Sequence, residues 1–262
     1  MDLKLQNKIA LVTGSNRGTG EAIAQTLARE GAIVVFHGNE EGSAVEVADA
    51  TASAHAVWGD ISTDAGCDQV LSQTRKAVGD IDILVNNYGT ATAGKWLQSD
   101  SEDWLDMYQK NVLSAVRLIK GFSPAMRNKG WGRIVQLGTI GSHQPNSIMP
   151  HYYASKGAVA TMGVSLAKEL SHTGITVNTI APGYIRTAEL EAGFRRRAAK
   201  KGWGEDWNDI VKKIVETEYP NPSGRIAERQ EVADLVAFIC SDLAGFINGQ
   251  NIRIDGGAVS YV

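Results

Sequence analysis

Short apolar runs alternate with helix-patterned stretches almost from end to end of the chain. Residues 9–12, 33–36, 56–58, 83–85, 134–137, 176–180 and 252–254 are short and nearly continuous in apolar character. Such runs suit strands covered on both faces, as in parallel sheets. Between them, residues 21–30, 102–120, 152–170 and 231–243 carry helical periodicity. Ile23 and Leu27 share one helical face, and Gly31 supplies a C-terminal stop. The alternation predicts one α/β domain over residues 1–262: a doubly wound, seven-stranded parallel sheet with helices on both faces.

Residues 187–225 break the rhythm. The segment is charged, carries Trp203, Trp207 and Tyr219, and follows the sixth strand. Ligands of α/β sheets bind at the carboxyl edge, so the segment reads as a substrate lid; a surface excursion without function is the alternative. Its aromatics could wall an apolar site, and Arg195, Arg196 and Arg197 could meet an anionic tail.

The chain has 262 residues, 43% hydrophobic and 21% charged, with a formal net charge of -3. This size buries a core without disulfide or metal. The charge gives no support for a nucleic-acid or membrane surface. No run reaches the length of a membrane helix, the N-terminus shows no signal-peptide pattern, and Cys67 and Cys240 stand far apart. These features predict a cytoplasmic protein with free thiols. His37, His55, His143, His151 and His172 form no metal-spaced set, so no metal is expected.

Chemistry enters at Gly14-Ser15-Asn16-Arg17-Gly18-Thr19-Gly20, between the first strand and the first helix. Glycines there allow a tight turn, and free N–H groups at a helix start attract a pyrophosphate. Tyr152 and Lys156 stand four apart on a predicted helix and share a face. A nearby ammonium stabilises phenolate and fits the pair for proton transfer. Tyr153 is three residues from Lys156, so spacing on the helix alone leaves both tyrosines open.

The wide glycine spacing resembles that of the short-chain dehydrogenase/reductase family, in particular its 3-oxoacyl reductase-like branch. Asn86-Asn87-Tyr88-Gly89, Tyr152-x-x-x-Lys156, Pro182-Gly183 with Thr187, Asn248-Gly249-Gln250 and Asp255-Gly256-Gly257 resemble its further motifs in order. The likeness spans residues 7–257. It implies a Rossmann-like fold, a homotetramer, and an oxidoreductase moving a hydride between nicotinamide and a carbonyl/alcohol substrate. The family motif selects Tyr152 as general acid/base. It implies that Lys156 also holds the nicotinamide ribose and that Asn111 organises a proton relay. Thr139 takes the place of the family's serine; Ser142 is a second hydroxyl nearby. By the same likeness Asn16, Asn39, Asp60, Ile61, Asn87, Gly89, Pro182, Gly183, Ile185 and Thr187 join the glycine loop in holding the cofactor.

The second strand ends His37-Gly38-Asn39, without a carboxylate until Glu40. A ribose 2′-phosphate would meet no fixed negative charge there, and Arg17 could pair with it, which favours NADP(H) over NAD(H). Thr139 and Tyr88 depart from the family pattern and motivate the alternative of a catalytically impaired NADP-binding sensor or scaffold. The substrate stays open between a 3-oxoacyl thioester and another ketone or secondary alcohol.

Overall fold

The computed structural model describes residues 2–261. Seven strands form one parallel sheet: β1 (Ile9–Val12), β2 (Ile33–Gly38), β3 (Ala54–Trp58), β4 (Ile83–Asn86), β5 (Gly132–Leu137), β6 (Ile175–Pro182) and β7 (Asn251–Ile254). Their order is β3-β2-β1-β4-β5-β6-β7, so the chain reverses direction across the sheet between β1 and β4. Val12 lies level with Phe36 on one side and Val85 on the other. The loops leaving β1 and β4 therefore open into one crevice, where such sheets bind ligands.

The pleat divides the core in two. Ala10, Val12, Val34 and Phe36 face helices α1 (Gly18–Arg29) and α9 (Arg229–Cys240), meeting Ile23, Leu27 and Val236. Leu11, Val35 and Leu84 face the other side. There they meet Val70 of α3 (Asp64–Val78), Phe122 of α5 (Ser114–Lys129) and Leu170 beyond α6 (Pro150–Glu169). Full burial of side chains such as Leu27 and Phe36 stabilises the fold by about 2 kcal/mol each.

Two helices on the chain had no sequence expectation: the short α2 (Val45–Asp49) and α3. In α3 the inward face is Gly66, Cys67, Val70 and Thr74, too small and polar to register as an apolar stripe. Thr63 caps it, its hydroxyl accepting from the Gly66 N–H at 3.0 Å. The helix expected over 102–120 is two α segments, α4 (Ser101–Tyr108) and α5, joined by a π-helical turn over Gln109–Leu113.

The 187–225 segment folds as α7 (Ala188–Lys201) and α8 (Trp207–Thr217), capped by Thr187 and Asp206. They enclose a small core of their own: Phe194, Ala198, Ile210, Ile214, Tyr219 and Ile226. Trp203 and Trp207 pack against that core, and the Trp207 ring stacks with Phe194 at 6.3 Å between centroids. Neither tryptophan is among the residues lining the two cavities described below, whereas Tyr219 lines the second. The arginines of the segment make partners within it. Arg195 pairs with Glu191 and donates to the Glu205 carbonyl, and Arg197 pairs with Glu218. Among the described residues no helix is long and apolar enough to cross a membrane.

Candidate active site

The crevice outside β1 and β4 is a groove of about 520 Å³. Gly14, Asn16, Arg17, Gly18, Thr19 and Gly20 form one wall, with Asn39, Asn87, Gly89 and Thr187 around the rest. Gly14 and Gly18 hold φ of 60° and 66°, where a side chain is strained. A Cβ on Gly20 would strike the Gly14 carbonyl. The N-cap of α1, Arg17, supplies no side-chain cap, so the first N–H groups of the helix remain for an anion.

Neighbouring strands hold the loop. The Asn87 amide donates to the Thr13 and Gly14 carbonyls at 2.9 and 3.1 Å. The buried His37 is a support that sequence reasoning missed as a site residue. Its Nδ1 accepts from the Gly14 N–H at 3.0 Å, and its Nε2 lies 3.0 Å from the Gly59 carbonyl. Both bonds together require the neutral imidazole protonated at Nε2. Burial pulls its pKa down to about 4, against the Gly59 carbonyl and Asp60, which raise it. The only signal was a histidine in a strand that is otherwise apolar.

Arg17 does not stand free: its guanidinium lies 3.4 Å from Glu189 in the first turn of α7. Both groups are exposed, so the pair adds little stability and yields easily to a competing anion. Tyr88 donates its backbone N–H to the Thr13 hydroxyl, and its own hydroxyl accepts from Asn39 at 3.3 Å. Asp60 and Ile61 follow β3 outside the residues lining the groove. Asp60 accepts from the Ser62 N–H and hydroxyl, and Ile61 is buried.

At the inner end of the groove the proton-transfer candidates converge. A Cβ on Gly89 would lie 2.5 Å from Asn111 Oδ1 and 3.0 Å from Lys156 Nζ, so both groups sit against this glycine. Asn111 lies in the π turn, a deformation frequent at functional sites. Its Oδ1 accepts from the Thr90 N–H at 2.9 Å, and its Nδ2 donates to the Thr90 carbonyl and to Ser155. Lys156 is buried and donates to the Leu137 carbonyl at 2.7 Å; desolvation draws its pKa down to about 8.

Burial pushes the Tyr152 phenol up to about 12, opposed by a hydrogen bond with the Thr139 side chain. The ammonium of Lys156, turned to Leu137, does not offset that burial. The direction comes from the packing around the phenol, which the four-residue spacing to Lys156 does not describe. Thr139 also accepts from the Gly141 N–H at 3.2 Å. Ser142 gives its hydroxyl to the Thr139 carbonyl at 2.8 Å, which leaves Thr139 as the hydroxyl beside Tyr152. Tyr153 instead accepts from the Asn146 amide at 2.9 Å.

Thr139 and Tyr153 line a second cavity of about 330 Å³, together with Gly183, Tyr184, Glu218 and Tyr219. A Cβ on Gly183 would collide with the Tyr219 hydroxyl, which donates to the Asp255 carbonyl at 2.8 Å. Pro182 closes β6, and Ile185 bridges to Ala227, so this stretch ties the 187–225 excursion to the sheet edge.

A doubly wound sheet, a glycine loop at its switch point and a phenol, amine and amide beside that loop define the class of nucleotide-dependent oxidoreductases. Residues 14–259 match the family model described as enoyl-(acyl carrier protein) reductase, and the chain belongs to this family, within the short-chain dehydrogenase/reductases. The 3-oxoacyl-[acyl-carrier-protein] reductase FabG of Escherichia coli (strain K12) is 34% identical, over 97% of this chain and 98% of that one. The structure of L-sorbose reductase from Gluconobacter frateurii complexed with NADPH and L-sorbose superposes with a TM-score of 0.94 at 32% identity, covering 100% of both chains. That of a 3-oxoacyl (acyl-carrier-protein) reductase from Agrobacterium tumefaciens C58 with NADP bound gives 0.86 at 29% identity, covering 98% of this chain and 96% of the other. The protein is therefore an oxidoreductase of the short-chain type.

Proposed function

We propose that the protein reduces a small-molecule carbonyl to an alcohol with NADP(H), using Tyr152 as the acid. The observation that carries this is the convergence of Asn111 and Lys156 on Gly89 in the glycine-loop groove, with Thr139 beside Tyr152. An ordinary phenol carries its proton at neutral pH, the state needed to protonate a developing alkoxide. Thr139 would position the same carbonyl oxygen. Lys156 and Asn111, gathered at Gly89, would resupply the proton and hold the nicotinamide ribose.

The groove fits a dinucleotide: glycines at φ near 60°, uncapped helical N–H groups and a volume of about 520 Å³. The bound cofactor supplies the hydride. Gly14, Asn16, Gly18, Thr19 and Gly20 would cradle its pyrophosphate, with Asn87, Gly89, Pro182, Gly183, Ile185 and Thr187 toward the nicotinamide. Asp60 and Ile61 would meet the adenine, and Asn39 and Arg17 the ribose. NADP over NAD is supported by the strand tip without an acid, by Arg17 exchanging Glu189 for a phosphate, and by the nucleotides in the two solved neighbours.

The chain would act as one domain with 187–225 as its substrate lid. A homotetramer is supported by the apolar side chains exposed along α4 and the π turn, Leu105, Tyr108 and Leu113. The free, buried Cys67 and Cys240 support a reducing compartment such as the cytoplasm. The test is Tyr152→Phe. Turnover with NADPH should fall about a thousandfold while NADPH affinity holds; turnover equal to the parent would sink the mechanism.

A further inference from the structure

The cavity beside Thr139 has a composition that selects among carbonyl compounds. At about 330 Å³ it stands at the small end of ligand sites. Thr139, Gln144, Asn146, Tyr153, Tyr184 and Glu218 give it hydroxyl, amide, phenol and carboxylate groups. None of its lining residues is Lys, Arg or His.

We propose that the substrate is a small, neutral, polyhydroxylated ketone, and the product the corresponding polyol; this rests on the Tyr152 assignment above. Three observations carry it. First, the polar groups have capacity to spare. Among the described residues the Gln144 side-chain amide and the Tyr184 hydroxyl have no protein partner. Tyr153 accepts from Asn146 and keeps its own proton to give. Glu218 takes Arg197 and Lys201, yet two carboxylate oxygens have about four acceptor positions. Hydroxyl groups would satisfy all of these, whereas an alkyl chain would strip their water and return nothing.

Second, anionic tails find no counter-charge. Arg195 and Arg197 stand outside the cavity lining, paired with Glu191 and Glu218. The nearest charge facing the cavity is the Glu218 carboxylate, which repels a phosphate or an acidic carrier. Third, Tyr184 and Tyr219 stand with ring centroids 4.7 Å apart, beside Ile140 and Pro220. Flat apolar faces flanked by hydrogen-bonding groups suit a carbon skeleton with hydroxyls on its edges.

The step balances with the cofactor already assigned. The carbonyl carbon gains a hydride from reduced nicotinamide, the oxygen gains the Tyr152 proton, and C=O becomes CH–OH as NADPH becomes NADP⁺. Tyr152 regains its proton from solvent.

The test is NADPH oxidation by the full-length protein against 2-ketohexoses and 2-ketopentoses, acetoacetyl-CoA, and unsubstituted ketones such as cyclohexanone and 2-hexanone. At least one ketose should exceed every other compound in kcat/KM by a hundredfold. Gln144→Leu should raise KM for that ketose about tenfold, leaving KM for NADPH and thermal stability in place. Preference for acetoacetyl-CoA or an unsubstituted ketone, or an unmoved ketose KM in Gln144→Leu, overturns the substrate class and leaves the Tyr152 mechanism standing. Turnover of a ketose that survives Tyr152→Phe overturns the mechanism instead. Silence across the whole panel overturns both.

Discussion

The nucleotide groove and the 187–225 excursion sit on the same sheet edge and are built by opposite means. The groove is made of backbone. Glycines set its curvature, Asn87 and His37 grip its peptide groups, and a Cβ at Gly20 would strike the Gly14 carbonyl. The excursion is made of side chains: Phe194, Trp207 and Tyr219 at its centre, with Arg186 lying 5.0 Å from the Trp207 ring and arginine–glutamate pairs around the rim. A backbone cradle tolerates almost no substitution. A side-chain module can be rebuilt while its hinge stays fixed.

The largest test of this contrast is Gly89→Ala. The added carbon meets Asn111 Oδ1 and Lys156 Nζ at once, so turnover should fall about a thousandfold with little change in melting temperature. An active Gly89→Ala enzyme would show that the two groups need not converge. Next comes His37. Its folded pKa, about 4, lies below the ordinary 6.5. As pH falls through that window the unfolded chain binds a proton that the folded one refuses. Stability present above pH 6.5 should therefore drop by about 3 kcal/mol on reaching pH 4. Urea titrations at pH 7 and 4.5 check this, and His37→Gln should flatten the difference between them.

Smaller effects belong to the excursion. Trp207→Ala removes the stack on Phe194 and the contact with Arg186, at a cost of about 2 kcal/mol. Steady-state kinetics should show a raised KM for the carbonyl compound with KM for NADPH unmoved. Equal rises in both would erase the distinction between the two regions. Smallest is Arg17→Ala, at an ion pair that joins them. NADPH should bind about tenfold more weakly by isothermal titration, while NADH binding stays as it was.

Legibility in the sequence followed the same division. Strands β1, β4 and β5 announced themselves as apolar runs because both faces of the sheet are covered. The glycine loop was readable because its chemistry is local: seven consecutive residues make it. Helix α3 was not, since its buried face is glycine, cysteine, valine and threonine. For Trp203, Trp207 and Arg195 the sequence shows which groups are present but not the neighbours they pack against, Phe194 and Glu191 among them. The Tyr152 phenol illustrates the same point. Four-residue spacing brings an amine near a phenol, while desolvation depends on everything packed around both.

The π turn over Gln109–Leu113 carries one residue more than an α-helix would need. Each residue turns a helix by about 100°. Deleting one residue here would let α4 run straight into α5 and swing Asn111, or whichever residue took its place, away from Gly89. Chain length at this point is therefore information of the same rank as residue identity. A relative aligned with a single gap across 109–113 could keep every residue of the catalytic set and still have its amide on the wrong side of the helix.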